Sequence, residues 1–263
     1  MSSLGNLALQ GVSLTPKFIF GVNGEIANSL FVIEEKKLLY VAGHFVIVYN
    51  MDERTQFFIH GQERSEGINF ITVSPCKRFL AICEKGESRA MCTIYEFPVR
   101  KRRKTLPENE YNTEDYKSKV FLSAAFSPKN AKQHLLTLAG EPDFAVLLWQ
   151  WDVAKCLFKI SIGFVDLVAN AALDKCYYQS SLSTLSQDMF GVITGPNKYL
   201  FMQVADNFTS VEVSLSDMDT RSAKVAGISS NYTCHAWTLD TGRLVVGTDM
   251  GDILLMDYEG QFL

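Results

Sequence analysis

Few residues in this sequence have the type and spacing that catalysis requires. Asp240-Thr241-Gly242 matches the triplet of aspartic proteases, and the triplet occurs once in the chain. Those enzymes need two carboxylates that share one proton. Gly21-Val22-Asn23-Gly24 resembles half of a phosphate-binding loop, but no Gly-Lys-Ser/Thr follows it. The first segment is therefore predicted to be a turn between strands, and the second a connector.

The histidines and cysteines form no recognisable metal or nucleophile motif. The four histidines are His44, His60, His134 and His235. No two of them have the spacing of metal ligands on a helix, and none of the six cysteines forms a Cys-x-x-Cys pair. A catalytic Cys–His pair needs closeness in space rather than in sequence, so it stays an alternative. Strand cysteines such as Cys83 and Cys92 more often act as small core side chains. We predict a protein that is not an enzyme, with no catalytic residue, no metal site and no cofactor.

The one marked charge cluster is the basic run Arg100-Lys101-Arg102-Arg103-Lys104. It opens a polar stretch, residues 100–119, that is predicted to be an inserted loop. Three interpretations stay open: a solvated loop, a surface that binds an acidic partner such as the tail-rich wall of a microtubule, or a nuclear-localisation or nucleic-acid patch. Acidic residues follow directly, and no aromatic residues interleave with the basic ones, which argues against single-stranded nucleic acid. We predict that all five basic residues contact a partner.

Composition limits the remaining classes of function. The chain has 263 residues, of which 47% are hydrophobic and 21% charged, and its formal net charge is −4. This composition is typical of a globular protein with a sizeable core, and it provides no overall basic field for nucleic acid or an anionic membrane. No apolar run of about 18 residues predicts a membrane span. Residues 1–10 lack the features of a secretory signal, and the cysteine pattern is typical of reduced thiols inside a cell.

Short apolar runs separated by turn residues recur in a fixed order along the chain. The last repeat is the clearest, with runs at 232–237, 243–248 and 252–257 and the tight turn Asp249-Met250-Gly251. Earlier repeats cover 29–49, 68–97 and 120–149, and a weaker repeat covers 189–204. No long amphipathic helix pattern is present, so the predicted class is all-β.

The last repeat resembles the second and third strands of a WD40 repeat. The segment Leu244–Asp257 ends in Met256-Asp257, where the family usually has Trp-Asp. The turns Ser74-Pro75 and Ser127-Pro128 are similar to the family's turn between strands one and two, whereas the family's His–Asp–Ser/Thr–Trp hydrogen-bonded tetrad is complete in no repeat. The resemblance implies a WD40-like β-propeller with about five blades of an incomplete, seven-bladed ring.

The same resemblance implies a domain organisation. Residues 1–263 are expected to form a single incomplete propeller with a polar loop insertion at 100–119. The segment Lys17–Val22 suits the family's N-terminal strand, which completes the last blade. Five blades leave two open sheet edges, so we expect a fragment of a longer protein or a ring that another chain closes.

Six segments, in order, are similar to the N-terminal propeller of a family of axonemal WD40 proteins of cilia and flagella. They are Phe79–Glu84, Thr93–Glu96, Arg100–Lys104, Ala124–Pro128, Asn231-Tyr232 with His235-Ala236-Trp237, and Val245–Asp249. This resemblance implies a non-catalytic scaffold of the motile-cilium axoneme. Its implied partners are inner-arm dynein, regulatory-complex subunits and the doublet microtubule, with no nucleic acid and no membrane. The alternative is a generic nuclear or cytosolic WD40 adaptor of a multiprotein complex.

Overall fold

Every regular element that the structure describes is a β-strand. The computed structural model describes residues 16–26, 28–108, 116–162, 179–185, 188–195, 198–204, 211–217, 232–238, 242–257 and 263. These ranges contain 19 strands and no helix. The prediction of an all-β fold is therefore confirmed.

The strands form five antiparallel sheets, here called blades 1 to 5, and in each sheet the strands keep their order in the sequence. Blade 1 contains Phe31–Glu34 (β1), Lys37–Ala42 (β2), Phe45–Asn50 (β3) and Thr55–His60 (β4). Blade 2 contains Ser65–Val73 (β5), Phe79–Gly86 (β6), Met91–Glu96 (β7) and Lys101–Leu106 (β8). Blade 3 contains Phe121–Phe126 (β9), His134–Ala139 (β10), Ala145–Gln150 (β11) and Lys155–Ser161 (β12). Blade 4 contains Gln179–Leu185 (β13), Asp188–Gly195 (β14), Lys198–Val204 (β15) and Val211–Asp217 (β16). Blade 5 contains Tyr232–Trp237 (β17), Arg243–Thr248 (β18) and Ile253–Asp257 (β19).

The second and third strands of blades 2 and 3 are mostly hydrophobic and buried along most of their length because both faces of these sheets are covered. In blade 3, β10 is buried along its whole length and β11 along nearly all of it. Tight turns join such strands in other blades. Gly43 (φ 58°) and Gly251 (φ 90°) take the left-handed conformation that glycine tolerates. The hairpin predicted at Asp249-Met250-Gly251 is confirmed.

Each hydrophobic core lies between two consecutive blades. Leu39 and Val46 of blade 1, for example, form one cluster with Ile71 and Leu80 of blade 2. Three further clusters join blades 2 and 3, blades 3 and 4, and blades 4 and 5. The sheets are therefore stacked face to face, as the blades of a propeller are.

The first strands of blades 2 to 5 lie next to one another. Among the described residues, β5 contacts β9, β9 contacts β13, and β13 contacts β17. Ser123 Oγ of β9 lies 2.5 Å from Ser180 Oγ of β13. Asn69 of β5 donates a hydrogen bond to the carbonyl of Phe121 in β9. This radial order, with the first strand innermost and the fourth outermost, confirms a β-propeller of five blades within the described residues.

Two local predictions differ from the structure. The loop predicted at 100–119 is wrong for Lys101–Leu106, which is strand β8 and pairs with β7; residues 109–115 of that stretch lie outside the described residues. Lys17–Val22 forms no strand. Instead, the backbone N–H of Ile19 donates to the side chain of Gln56, so this segment lies against blade 1.

Candidate protein-interaction surface

The predicted basic segment lies on the outer rim of blade 2. Strand β8 carries Lys101 to Lys104, and among the strands that the structure describes it pairs only with β7. Arg100 precedes it with a positive φ of 57°. An edge strand needs no apolar covering on its outer side, and charged residues there discourage strand pairing between copies of a protein. The polar sequence that suggested a loop is thus compatible with a strand at this position.

Two of the five basic side chains turn toward blade 1. The guanidinium of Arg100 lies 3.6 Å from the ring centroid of Phe57 in β4, a cation–π contact. Arg102 Nη1 donates to Gln62 Oε1 at 3.3 Å, in the connection between blades 1 and 2. Both basic side chains are exposed, so each still has a surface that a partner could contact.

The other three basic side chains turn toward a pair of carboxylates or toward solvent. Arg103 and Arg78 both bind the carboxylate of Glu96, which is mostly buried. Lys104 Nζ lies 2.9 Å from Glu108 Oε1. Within the described part of the chain, Lys101 forms neither an ion pair nor a side-chain hydrogen bond. The segment is therefore partly neutralised, with its exposed charge concentrated at its N-terminal end.

Two sheet faces also expose apolar side chains. Strand β19 buries Leu254 and Met256 against blade 4, whereas the alternate residues Ile253 and Leu255 are 78% and 37% exposed. On blade 1, Leu30 and Val32 are 63% and 53% exposed. Grouped apolar exposure of this kind is typical of surfaces that contact other proteins.

The residues considered for catalysis take structural positions. Cys83 and Cys92 lie opposite each other in β6 and β7 and are completely buried. Contact with Cys92 and burial raise the pKa of the Cys83 thiol well above its usual value, which disfavours the nucleophilic thiolate. Gly21–Gly24 is a connector, as predicted; of Asp240-Thr241-Gly242, only Gly242 lies within the described residues.

The structure brings together one serine–histidine arrangement that sequence inspection missed. His235 Nε2 of β17 lies 2.6 Å from Ser181 Oγ of β13, and its Nδ1 lies 2.8 Å from Thr194 Oγ1 of β14. Trp237 Nε1 donates to the same serine oxygen at 3.0 Å. Burial lowers the pKa of His235 to about 3, far below the value that suits a general base near neutral pH. The arrangement therefore joins blades 4 and 5 rather than activating a nucleophile.

A buried carboxylate, Glu84, and a partly buried one, Asp143, hold the connections that enter blades 2 and 3. Glu84 accepts the backbone N–H of Gln62 at 2.7 Å. Asp143 accepts the N–H groups of Lys117 and Ser118 at 2.6 and 2.8 Å. Burial raises the pKa of Glu84, and the bond from Gln62 offsets part of that effect. Burial also acts to raise the pKa of Asp143, but the bonds from Lys117, Ser118 and Lys159 outweigh it and lower the pKa.

Blade 3 keeps three members of the tetrad that is typical of WD40 repeats. Trp149 Nε1 of β11 donates to Thr137 Oγ1 of β10 at 2.9 Å, and both side chains are buried. Asp143 lies in the turn between these strands. Among the described residues, no histidine completes the tetrad; instead, the hydroxyl of Ser118 donates a hydrogen bond to the carboxylate of Asp143 at 2.8 Å. The family's hydrogen-bonded network is thus reduced but still links the turn to the incoming chain.

The absence of two further kinds of feature concerns the described residues only. Among them, no group of three histidine, cysteine, aspartate or glutamate side chains could hold a metal ion. No helix in the same ranges is long and apolar enough to cross a membrane.

Comparison with known proteins gives relatives for almost the entire chain. No family model matches it. It is 30% identical to mouse cilia- and flagella-associated protein 57 over 243 residues, which cover 91% of this chain. The chain resembles cilia- and flagella-associated protein 57. A Tetrahymena thermophila form, cilia- and flagella-associated protein 57 C, is 28% identical over 94% of the chain, and mouse cilia- and flagella-associated protein 44 is 24% identical over 95%.

The resemblance covers only part of these relatives. The chain spans 17% of mouse cilia- and flagella-associated protein 57 and 22% of the Tetrahymena protein. Among solved structures, a chain in the crystal structure of the mitotic checkpoint complex superposes on 86% of this chain and 59% of its own length, with a TM-score of 0.56 at 10% identity. At this identity the likeness concerns the fold alone, and it agrees with a propeller.

Proposed function

We propose that this chain is a non-catalytic structural scaffold of the motile-cilium axoneme. The observation that carries the proposal is its similarity, over nine-tenths of its length, to proteins named for cilia and flagella. The fold supports a scaffold role, because propeller blades offer broad rims and faces to partner proteins. The partners we propose are inner-arm dynein, regulatory-complex subunits and the doublet microtubule, all without nucleic acid or membrane.

Two surfaces support binding to proteins in particular. The rim of blade 2 presents exposed cations at Arg100 and Lys101, and blade 5 presents the exposed apolar side chains Ile253 and Leu255. A charged rim and an apolar face suit different partners, as expected for a component of a large assembly. Arg100 to Lys104 thus remain our proposed partner-binding residues.

Location in a ciliated cell tests the proposal. The tagged chain, expressed in a cell that builds motile cilia, is expected to follow the axoneme and to stay there after the membrane is removed with detergent. Chemical crosslinking of the extracted axonemes, followed by mass spectrometry, is expected to connect the chain to dynein-arm or regulatory-complex subunits. Complete release by detergent would contradict an axonemal scaffold.

The alternative function, a nuclear or cytosolic adaptor, has its own expected outcome. Short runs rich in lysine and arginine also act as nuclear-localisation signals. Here the run is paired to β7, and four of its five side chains contact other residues of the chain, which disfavours such a signal. Accumulation of the tagged chain in the nucleus would support the adaptor function and reject the axonemal location.

A further inference from the structure

We propose that the outer edge of β8 binds an extended acidic polypeptide as an additional strand of blade 2. The proposal deepens the scaffold function by assigning one surface and one class of partner, and it rests on that function for its biological role. Its physical basis is separate: an open strand edge, a local excess of positive charge and an exposed aromatic contact at the same place.

The first element is the backbone of β8. Within the described residues, β8 pairs with β7 and with no other strand. Alternate residues of an edge strand direct their N–H and C=O groups outward, where a second strand can pair with them. Such strand addition provides affinity through the backbone and leaves specificity to the side chains. The six residues of β8 match the usual length of a strand, roughly five to six residues. A bulge at Arg103 interrupts the pairing of β8 with β7, so the added strand is expected to pair with the regular residues on either side of it.

The second element is charge. The rim around β8 holds the cations Arg78, Arg100, Lys101, Arg102, Arg103 and Lys104. Among the described residues, only Glu96 and Glu108 form ion pairs with them. The local charge is therefore positive although the chain as a whole carries −4. Like charges oppose a neutral or basic strand and a second copy of this edge, whereas an acidic strand is attracted.

The third element is the position of Arg100. One side of its guanidinium is stacked on Phe57, which is itself 41% exposed. A guanidinium held on a ring loses less conformational freedom when it binds a carboxylate, because its orientation is already fixed. Val99, 70% exposed beside it, offers an apolar contact to the same partner. Arg100, Lys101 and Arg102 are therefore the side chains we expect to carry most of the selectivity.

A polypeptide fits this surface better than a nucleic acid does. Nucleic-acid binding without sequence preference combines a basic groove with several stacking aromatics. In the rim described here, Phe57 is already covered on one face by Arg100. A nucleic acid also has no backbone groups that continue the hydrogen-bond ladder of β8. The open edge therefore favours a peptide over a phosphate polymer.

The test measures binding of labelled peptides to the full 263-residue chain by fluorescence anisotropy at about 0.15 M ionic strength. The acidic probe alternates glutamate with valine over about eight residues. A second probe replaces each glutamate with glutamine, and a third is acidic but N-methylated at alternate backbone nitrogens. We expect the acidic probe to bind about tenfold more tightly than either of the other two, since each lacks one element of recognition.

Charge variants locate the site. Arg100→Gln, Lys101→Gln and Arg102→Gln together are expected to weaken binding of the acidic probe about tenfold or more. The matched control replaces three exposed lysines of blade 3, Lys129, Lys132 and Lys155, by glutamine and should leave affinity nearly unchanged. Equal thermal unfolding temperatures for all three proteins show that the variants are folded.

Three results would overturn the proposal. The first is equal binding of the acidic and N-methylated probes, which excludes strand addition. The second is equal weakening by the rim and control variants, which places the site elsewhere. The third is tighter binding of an oligothymidylate of the same charge, which identifies a phosphate-polymer site. Each leaves the axonemal location untouched, so failure of this inference and failure of the proposed function are distinguishable.

Discussion

The buried histidine between blades 4 and 5 makes the free energy of unfolding depend on pH. One substitution isolates the contribution of this histidine. His235 lies between Ser181 and Thr194, and burial lowers its pKa to about 3. In the unfolded chain its pKa is near 6.5. On acidification the unfolded chain therefore takes up the proton first, and the free energy of unfolding falls from about pH 6.5 down to about pH 3.

The size of the effect follows from the two pKa values. Each unit between the solution pH and the unfolded-state pKa corresponds to about 1.4 kcal/mol, so acidification from pH 7 to pH 4.5 costs about 3 kcal/mol through His235 alone. Because pH 4.5 lies above the folded-state pKa, this figure depends little on the exact value of that pKa. Aspartates and glutamates with ordinary pKa values titrate mostly below this interval.

The matched variant is His235→Gln, which retains one donor and one acceptor for the two hydroxyl groups but does not titrate. Urea unfolding of both proteins is followed by tryptophan fluorescence at pH 7 and pH 4.5, since Trp237 shares the hydrogen bond of Ser181. We expect the variant to be less stable at pH 7 and to lose about 3 kcal/mol less than the parent on acidification. Contributions from other groups, such as His134, are common to both proteins and cancel in the difference. An identical loss in both proteins would refute a buried, neutral His235.

Three further substitutions and one control substitution test packing and hydrogen bonding, each measured by urea or thermal unfolding. Thr137→Val is expected to cost about 1–3 kcal/mol, because it leaves the buried indole N–H of Trp149 without its acceptor. Asp143→Ala should cost about 2–3 kcal/mol above pH 5, since it removes an acceptor of charge-assisted bonds. Because the folded state lowers the pKa of Asp143, this difference in stability from the parent should shrink as acid protonates the parent's carboxylate. Gly86→Ala should cost about 3 kcal/mol or more, because a Cβ there collides with the backbone of Arg89. The control is Gly24→Ala, which should change stability by about 0.5 kcal/mol or less because there is open space around Gly24.

The inner and middle strands of the blades could be predicted from the sequence, because strands that are buried on both faces consist mostly of apolar residues. The repeat predicted at 120–149, for example, contains β9, β10 and nearly all of β11, and β10 is buried along its whole length. The outer strands carry a weaker signal. β8 is mostly charged and β12 alternates irregularly, because an edge strand is exposed on its outer side and needs few apolar residues. The polar residues of β8 reflect its position at the edge of the sheet, and for this reason the prediction of a loop at this segment was wrong.

Contacts between blades could not be predicted from one sequence. Ser181 and His235 are far apart along the chain and belong to different sheets, and no spacing rule connects them. The same holds for Arg100 and Phe57, which meet only because the fold brings the residue before β8 against β4. Residue type identified the basic segment as a candidate surface. Its partial neutralisation by Glu96 and Glu108 emerged only from the fold.

The sharing of each core between two blades has a consequence for how the protein is made. A single blade leaving the ribosome has no hydrophobic interior of its own, because Leu39 and Val46 of blade 1 are covered only when Ile71 and Leu80 of blade 2 arrive. The smallest stable unit during synthesis is therefore a pair of neighbouring blades, and each later blade adds to an existing surface. A blade that has left the ribosome before its neighbour exposes this apolar face, so we expect chaperones to bind the nascent chain until the next blade has been synthesised.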